Sequence, residues 1–249
     1  MSNRKVQIAT GVPPQPAGVE ITRWWWVRHA PVRVDQGRIY GQTDLPCDCS
    51  DTVVFGAVAR ILPRQATWYA SQLQRTHQTA RALFAAGAAP ATPATLTQDE
   101  AFAEQHLGAW QGRNRAEFFA SRAPEIGSYW FAPAEERAPG GESFIDVFER
   151  VRAAILRINA LHRGGDIVVV SHGGPIKAAI AHALGLEARA GLAFAIDNCS
   201  VTRLDHLAGA GEIGWRVPMI NQQPWIADPS HATMHQPAGP EIATPTKLA

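Results

Sequence analysis

Two histidines occupy equivalent places in the chain, each shortly after an apolar run. His29 follows residues 24–27 and Arg28, and His172 follows residues 167–170 with one serine between. Apolar runs of this length predict buried strands, and the carboxyl ends of parallel strands form the usual ligand-binding edge of an α/β sheet. The sequence therefore predicts that both imidazoles meet at one sheet edge, with an arginine beside the first.

These residue types suit phosphoryl transfer. An unprotonated imidazole nitrogen can attack phosphorus and form a phosphohistidine, which divides one difficult hydrolysis into two easier displacements. Arg28 and Arg75 are expected to hold the oxygens of the transferring group, with a protonated His172 as a further donor. The backbone amides of Gly173 and Gly174 are candidate donors as well.

The chemistry also needs an acid, and Glu104 is the candidate. A carboxylic acid must protonate the departing alkoxide, and the same carboxylate must later activate water. Each feature alone has a plainer interpretation: a single histidine is more often structural, Arg75 alone is a solvated helix residue, and Glu104 alone is an exposed loop acid. Their joint order along the chain is far more specific.

Alternating strands and helices must position these residues. Residues 67–70 read as a strand, and Ser71 has capping-box spacing ahead of a helix predicted over 75–86, which places Arg75 in an early turn. Ser143 is expected to cap a helix before the second histidine strand, and a further helix begins near Pro175 and stops at Gly185. Residues 200–204 and 215–217 look like a strand pair at the sheet's edge.

This alternation predicts an α/β fold, a three-layer α/β/α sandwich with a mostly parallel sheet. We expect a flexible N-terminal tail over 1–20, one catalytic domain over 21–226 and a flexible, proline-rich C-terminal tail over 227–249. Residues 105–141 fit the alternation poorly and are interpreted as a small inserted lid over the sheet edge. A surface excursion with its own hydrophobic cluster is the alternative.

Composition narrows the class of protein. The formal net charge is +1, from 23 basic and 22 acidic residues, and the sequence has no polybasic block. This argues against nucleic-acid or membrane-surface partners, and any anion site must be local. Together with the phosphoryl-transfer residues above, it makes a small-molecule phosphate ester the expected ligand. No secretory signal or membrane-length apolar run is evident, which predicts a cytoplasmic protein. The oligomeric state is left open.

Metal and disulfide chemistry find little support in the sequence. Cys47, Cys49 and Cys199 are odd in number and lack the spacing of a zinc or disulfide framework, so they are interpreted as structural or incidental. His231 and His235 lie in a proline-rich segment without a helix to align them on a metal. No cofactor or metal ion is expected, and activity should resist chelation.

The motifs together resemble those of the histidine phosphatase superfamily, the phosphoglycerate mutase-like proteins. The resemblance covers about residues 22–221. In chain order the similar segments are the nucleophile motif at 27–29, the phosphate-pocket loop at 40–46, the second-arginine helix at 71–80, the acid loop at 104–112, the loop at 140–143, the second-histidine motif at 170–174 and the strand region at 197–202. The Gly-Gln-Thr-Asp loop at 41–44 suggests the α-ribazole phosphatase branch.

The resemblance implies His29 as nucleophile, Arg28, Arg75 and His172 as phosphate ligands, and Glu104 as proton donor. The chain departs from the family where Gly, Glu and Thr or Ser usually follow the nucleophile, because it has Ala30-Pro31-Val32. Asp35 also stands where many relatives use Asn to hold phosphate. Either this carboxylate points away from the phosphate, or Gln42 and Thr43 serve instead.

The predicted function is a metal-independent phosphatase that hydrolyses a small-molecule phosphomonoester through a phosphohistidine. A phosphoglycerate-mutase-type phosphotransferase is the nearest alternative enzyme. A non-catalytic phosphate-binding regulator is the alternative from another class, and the departure at 30–32 keeps it open. Retention of Glu104 favours an enzyme, because phosphate binding alone gains nothing from a proton donor.

Overall fold

The computed structural model describes residues 18–88, 95–122, 130–209 and 213–227. Within them, six strands form one sheet in the order β3-β2-β4-β1-β5-β6. The strands are β1 (Glu20–Arg28), β2 (Thr67–Ala70), β3 (Leu96–Gln98), β4 (Gly165–Ser171), β5 (Val201–Ala208) and β6 (Ile213–Gln222). The first four are parallel, and β5 and β6 are antiparallel neighbours at one edge. The predicted mostly parallel sheet and edge strand pair are therefore confirmed.

Helices connect the strands and cover the sheet. They are α1 (Thr52–Ile61), α2 (Gln74–Ala85), α3 (Arg115–Ala120), α4 (Phe144–Leu161), α5 (Gly173–Ala183) and α6 (Ala188–Gly191), with 3-10 turns at Glu100–Phe102, Gly108–Trp110 and Pro224–Ala227. No helix in the described ranges is long and apolar enough to cross a membrane.

Strand β1 shows why the sheet has helices on both faces. Its side chains alternate, so Trp24 and Trp26 join one core cluster with residues of α4 and α5. Trp25 and Val27 join a second cluster with residues of α1 and α2. A strand buried on both faces is apolar throughout rather than alternating, which is the pattern at 24–27. The predicted three-layer α/β/α architecture is confirmed.

Helix α4 begins as the sequence indicates. The hydroxyl of Ser143 accepts a hydrogen bond from the Asp146 amide at 3.2 Å, and the Asp146 carboxylate accepts one from the Ser143 amide at 2.7 Å. This reciprocal capping box satisfies two backbone donors at the helix start. The apolar positions predicted to face the core are buried: Val147, Val151, Ile155 and Ile158.

One of two predicted helix starts differs in the structure. Helix α2 begins at Gln74 with Leu73 as its N-cap and no side-chain cap, so the prediction of Ser71 as a cap is wrong. The Ser71 hydroxyl is instead engaged with His172 and the Leu73 amide. Helix α5 begins at Gly173, so Pro175 lies in its first turn as predicted. Arg75 does lie in the first turn of α2, as predicted.

The described parts of the 105–141 segment make two kinds of contact. They hold α3 and a small hydrophobic cluster around Leu107, Trp110 and Phe118, which Ile39 joins from outside the segment. The same segment also supplies Trp130 and Phe131 to the wall of a cavity at the sheet edge. Its role as a lid stays a prediction. Nearly all of the two predicted tails, residues 1–17 and 228–249, lies outside the described residues.

Candidate active site

The two histidines meet at one edge of the sheet. Strands β1 and β4 pair in parallel with Arg28 opposite Ser171, so the residues that follow both strands are neighbours. The His29 amide donates to the Ser171 carbonyl at 2.9 Å, and the imidazole centroids of His29 and His172 are 5.0 Å apart. The juxtaposition predicted from the two strand ends is present.

The hydrogen bonding of His29 selects one tautomer. Its Nδ1 lies 2.7 Å from the Ala30 carbonyl oxygen, which can only accept, so Nδ1 carries the proton. Nε2 then holds a lone pair, and it is buried without a hydrogen-bond partner among the described residues. Burial, followed by the charges of Arg75 and Arg28, lowers the pKa of His29 well below 6.5. The ring is therefore a neutral base with one free nitrogen.

Backbone contacts hold the segment after β1 in place. The side chain of Asn198 donates to the His29 carbonyl at 2.8 Å, and the Ala30 amide donates to the Thr79 hydroxyl at 2.9 Å. Ala30 does not have a positive φ, so the methyl group that replaces the family's usual glycine introduces no backbone strain.

Arg28 and Arg75 both lie close to the histidine pair. Arg28 donates through Nη1 to the Ile196 carbonyl, while its buried Nε–H has no partner among the described residues. Arg75 donates to the Gly41 carbonyl at 2.7 Å and the Thr43 carbonyl at 3.0 Å. A guanidinium has five N–H donors, and Arg75 uses one on each of its three nitrogens. One unused N–H therefore remains on each terminal nitrogen.

His172 has a different hydrogen-bonding role from the protonated donor that the sequence suggested. Its Nδ1 accepts a hydrogen bond from Arg75 Nε at 3.2 Å, and its Nε2 lies 2.8 Å from the Ser71 hydroxyl. Burial and the neighbouring Arg75 lower its pKa well below 6.5. His172 is therefore neutral here, and it fixes the orientation of the Arg75 guanidinium.

Glu104 reaches the start of helix α5. Its Oε1 accepts hydrogen bonds from the amides of Gln105 and Gly174, both at 3.0 Å. Its backbone carbonyl accepts from Gln42 Nε2 at 2.8 Å and from Arg150 at 3.1 Å. Glu104 lines the cavity, and these hydrogen bonds hold both its carboxyl group and its backbone carbonyl in place.

Close packing makes Gly174 a sensitive position. A Cβ added there would lie 2.5 Å from Glu104 Oε1, whereas a Cβ at Gly173 would meet only ordinary contacts of 3.5 Å or more. We expect Gly174→Ala to displace the carboxyl group and reduce kcat about ten- to a hundredfold, because small misplacements of reacting groups are costly. Steady-state kinetics beside the matched Gly173→Ala variant would check this. A larger loss in Gly173→Ala would contradict it.

The buried imidazoles make stability depend on pH. The folded-state pKa values of His29 and His172 lie well below 6.5, the value for the unfolded chain. As pH falls through 6.5 only the unfolded chain gains protons at these sites, so the free energy of unfolding drops by up to about 1.4 kcal/mol per pH unit per histidine. Urea unfolding of wild type and His29→Asn at several pH values would measure this. An equal slope in both proteins would contradict the assignment to His29.

A cavity of about 1040 Å³ opens above these residues. Arg28, Gly41 and Glu104 line it, while His29, Arg75 and His172 are buried and outside its lining. Much of the remaining wall is apolar or aromatic: Pro31, Val32, Tyr40, Val54, Phe55, Leu107, Trp130, Phe131, Trp225 and Ile226. In the ranges that the structure describes, no group of three or more His, Cys, Asp or Glu side chains is arranged to hold a metal ion.

Three predicted substrate ligands take supporting positions. Gln42 binds the Glu104 carbonyl and the Thr43 carbonyl binds Arg75, and neither residue lines the cavity. Gly173 is the first residue of α5, close to Arg28 and Trp130. Their direct contact with substrate stays a prediction. Asp35 lines the cavity, and its carboxylate accepts from Arg115 at 2.8 Å.

Several residues that support the site were missed by sequence reasoning. Ser71 binds His172, and Thr79 and Asn198 both hold the peptide unit between His29 and Ala30. Lys177 donates to the Leu192 carbonyl and lies 4.7 Å from the ring of Trp130 on the cavity wall. Burial lowers the pKa of Lys177 to about 8. Ser71, Thr79 and Asn198 lie inside motif segments that the sequence did single out.

The sequence also matches a family model. Residues 24–217 match that of the histidine phosphatase superfamily, branch 1, which spans more than half of the chain and includes both histidine strands. The chain therefore belongs to the histidine phosphatase superfamily, as its motifs predicted.

Two relatives show how far sequence similarity extends. The chain is 34% identical over 176 residues to a bifunctional protein of Mycobacterium tuberculosis, covering 69% of this chain and 45% of the relative. It thus spans less than half the length of that relative. It is also 28% identical over 209 residues to a probable phosphoglycerate mutase of Serratia proteamaculans, covering 81% of this chain and 86% of that protein.

Solved structures share the fold. A mycobacterial glucosyl-3-phosphoglycerate phosphatase superposes with a TM-score of 0.67 at 28% identity, covering 81% of this chain and 99% of the other. A putative α-ribazole-5'-phosphate phosphatase of Escherichia coli gives a TM-score of 0.64 at 21% identity, covering 81% and 97% of the two chains. At 21% identity the second similarity is one of fold alone.

Proposed function

We propose that the protein is a phosphatase that hydrolyses a small-molecule phosphomonoester through a phosphohistidine on His29. One arrangement carries the proposal. The buried Nε2 of His29 has a lone pair without a partner among the described residues, and His172 orients the Arg75 guanidinium at the same sheet edge. Glu104 lines the cavity there. A buried base without a partner is unfavourable for folding alone, and it suits attack on an electrophile.

In the first step, the lone pair of His29 Nε2 attacks phosphorus in line with the ester oxygen. The P–O bond breaks, and protonated Glu104 gives its proton to the departing alkoxide. Arg28 and Arg75 neutralise charge on the equatorial oxygens through their remaining N–H groups. In the second step, the Glu104 carboxylate takes a proton from water, which attacks the phosphohistidine and breaks the N–P bond. Phosphate leaves and the site is restored without a cofactor.

The charges around the cavity favour hydrolysis over a mutase reaction. A mutase must hold a doubly phosphorylated intermediate and so needs cations for a second phosphate. Here Arg115 is paired with Asp35 at 2.8 Å, and Arg33 lies 3.5 Å from Asp48. These two cations already have carboxylate partners, and the rest of the wall combines apolar and aromatic side chains with the acidic residues Asp51 and Asp197. Acidic residues disfavour a second phosphate, so the cavity suits a bulky alcohol better.

The reaction products separate the two activities. With a panel of phosphomonoesters, we expect inorganic phosphate as the main product. The highest kcat/KM should be found for the phosphate esters of bulky, weakly charged alcohols. With 3-phosphoglycerate and catalytic 2,3-bisphosphoglycerate, conversion to 2-phosphoglycerate should be negligible beside that hydrolysis. Efficient isomerisation with little phosphate release would establish the mutase activity, for which the similarity to the Serratia protein is the supporting observation. Exhaustive EDTA treatment should leave the hydrolysis intact.

A further inference from the structure

Two thiols lie close together beside the active-site backbone. Cys47 and Cys49 are both half-buried, in the segment between the 40–46 loop and helix α1, and their Sγ atoms are 3.5 Å apart. Disulfide geometry requires the two sulfurs at about 2.05 Å, so this pair needs a further approach of about 1.5 Å to bond. Such a short movement is within reach of side-chain rotation in a loop.

Cys47 is connected to the residues proposed to bind phosphate. Its Sγ lies 3.3 Å from the Arg75 carbonyl and 3.6 Å from the Thr79 hydroxyl. The same hydroxyl accepts the Ala30 amide, next to His29. A change at this sulfur thus reaches the first turn of α2 through one contact, and the nucleophile's backbone through two, by way of Thr79.

Cys47 differs in reactivity from the other two cysteines. Hydrogen bonding from the Cys49 thiol, and then from Thr79, lowers the pKa of Cys47 to about 7. The hydrogen bond with Cys47 raises the pKa of Cys49, and burial raises the pKa of Cys199 to about 12. The thiolate is the form that reacts with oxidants, so Cys47 is the expected site of attack and Cys49 the adjacent resolving thiol.

We propose that Cys47 and Cys49 form a peroxide-sensitive pair whose disulfide switches off the enzyme, an effect on activity that rests on the proposed function. The Cys47 thiolate attacks one peroxide oxygen, and the O–O bond breaks to leave a sulfenic acid and hydroxide, which is protonated to water. The Cys49 sulfur then attacks the Cys47 sulfur and displaces a second water as the S–S bond forms. Two thiols are oxidised and one hydrogen peroxide is reduced to two waters.

Closing the disulfide disturbs the site because Cys47 must turn toward Cys49. Its contacts to Arg75 and Thr79 are then lost or strained, and the 40–46 loop, whose carbonyls hold the Arg75 guanidinium, is pulled with it. We expect kcat/KM to fall about tenfold or more in the oxidised protein, in line with the cost of misplacing a positioned group. A dithiol reductant should restore it.

Peptide mapping detects the Cys47–Cys49 disulfide directly. Tryptic cleavage after Arg38 and Arg60 gives one peptide, 39–60, that contains both cysteines, whereas Cys199 falls in the separate peptide 190–203. After treatment with hydrogen peroxide and blocking of free thiols, peptide 39–60 should be two hydrogens lighter and unblocked. This measurement needs no enzyme activity, so it tests formation of the disulfide even if the proposed function is wrong.

Cys47→Ser and Cys49→Ser are the matched variants, each compared with its own untreated activity. We expect Cys47→Ser to resist peroxide, and Cys49→Ser to accumulate a sulfenic acid on Cys47 that dimedone traps. Absence of the disulfide from peptide 39–60 would overturn the proposal, as would a cross-link between the 39–60 and 190–203 peptides in its place. A complete disulfide without loss of activity, or equal inactivation of Cys47→Ser, would overturn its control of the enzyme.

Discussion

Replacing His29 by alanine is expected to reduce kcat on a phosphomonoester by on the order of a thousandfold or more, while the fold is retained. The variant lacks the nitrogen that forms the covalent intermediate, so only unassisted attack by water remains. Among the residues that the structure describes, the ring makes one hydrogen bond, to the Ala30 carbonyl, so its loss costs the fold little. Steady-state kinetics and thermal unfolding of the purified variant would measure both effects.

His77→Ala is a suitable control for this change. His77 is a half-buried histidine of helix α2, only two residues from Arg75, and it has no place in the proposed mechanism. Its replacement should leave kcat and KM close to wild type. If His29→Ala retained a tenth of the wild-type kcat, His29 would not be the nucleophile.

Replacing Glu104 by glutamine should have a large effect that depends on the leaving group. Glutamine keeps an acceptor oxygen for the amides of Gln105 and Gly174, so the backbone arrangement is preserved while the acidic proton is lost. A general acid supplies about a hundred- to ten-thousandfold, and an alkoxide needs its proton far more than a nitrophenolate does. Hydrolysis of alkyl phosphates should therefore fall by such a factor, and that of p-nitrophenyl phosphate by much less.

The comparison between the two substrate types decides the role of Glu104. Glu142→Gln is a useful control, because Glu142 binds Arg150 and the His106 amide near the acid loop but does not line the cavity. It should affect both substrates alike. Equal losses on alkyl and aryl phosphates in Glu104→Gln would show that another group is the acid.

Much of the arrangement could be predicted because it depends on local patterns. The apolar runs before His29 and His172 identify two strands, and parallel strands necessarily end at the same sheet edge. The capping box at Ser143 and the 3.6-residue periodicity of α4 are equally local signals. The two-sided burial of β1 follows from its unbroken apolar sequence.

Other features depend on contacts between distant segments. The bond from Arg75 to His172 joins residues 97 apart, and that from Ser71 to His172 joins residues 101 apart. Capping-box spacing around Ser71 was misleading, since its hydroxyl binds His172 instead. The three-residue strand β3 carries too short a pattern to be recognised.

Charge pairing changes the electrostatics that the sequence implies at Asp35. By itself, a carboxylate at this position would repel phosphate. Arg115 lies in the inserted segment 80 residues away, and its guanidinium binds Asp35 at 2.8 Å. This pairing reduces the local negative charge. It also shows why the charge of a pocket cannot be deduced from its residue types alone.

Trapping the phosphoryl group on His29 tests the central claim most directly. Trypsin cleaves after Arg28 and Arg33, and the resulting peptide, residues 29–33 (HAPVR), contains no serine, threonine, tyrosine or carboxylate side chain. After brief incubation with phosphorus-labelled substrate and alkaline quenching, the label should be found in this peptide, be lost in acid and be absent from His29→Ala. Label on a serine or aspartate of another peptide would contradict the phosphohistidine mechanism.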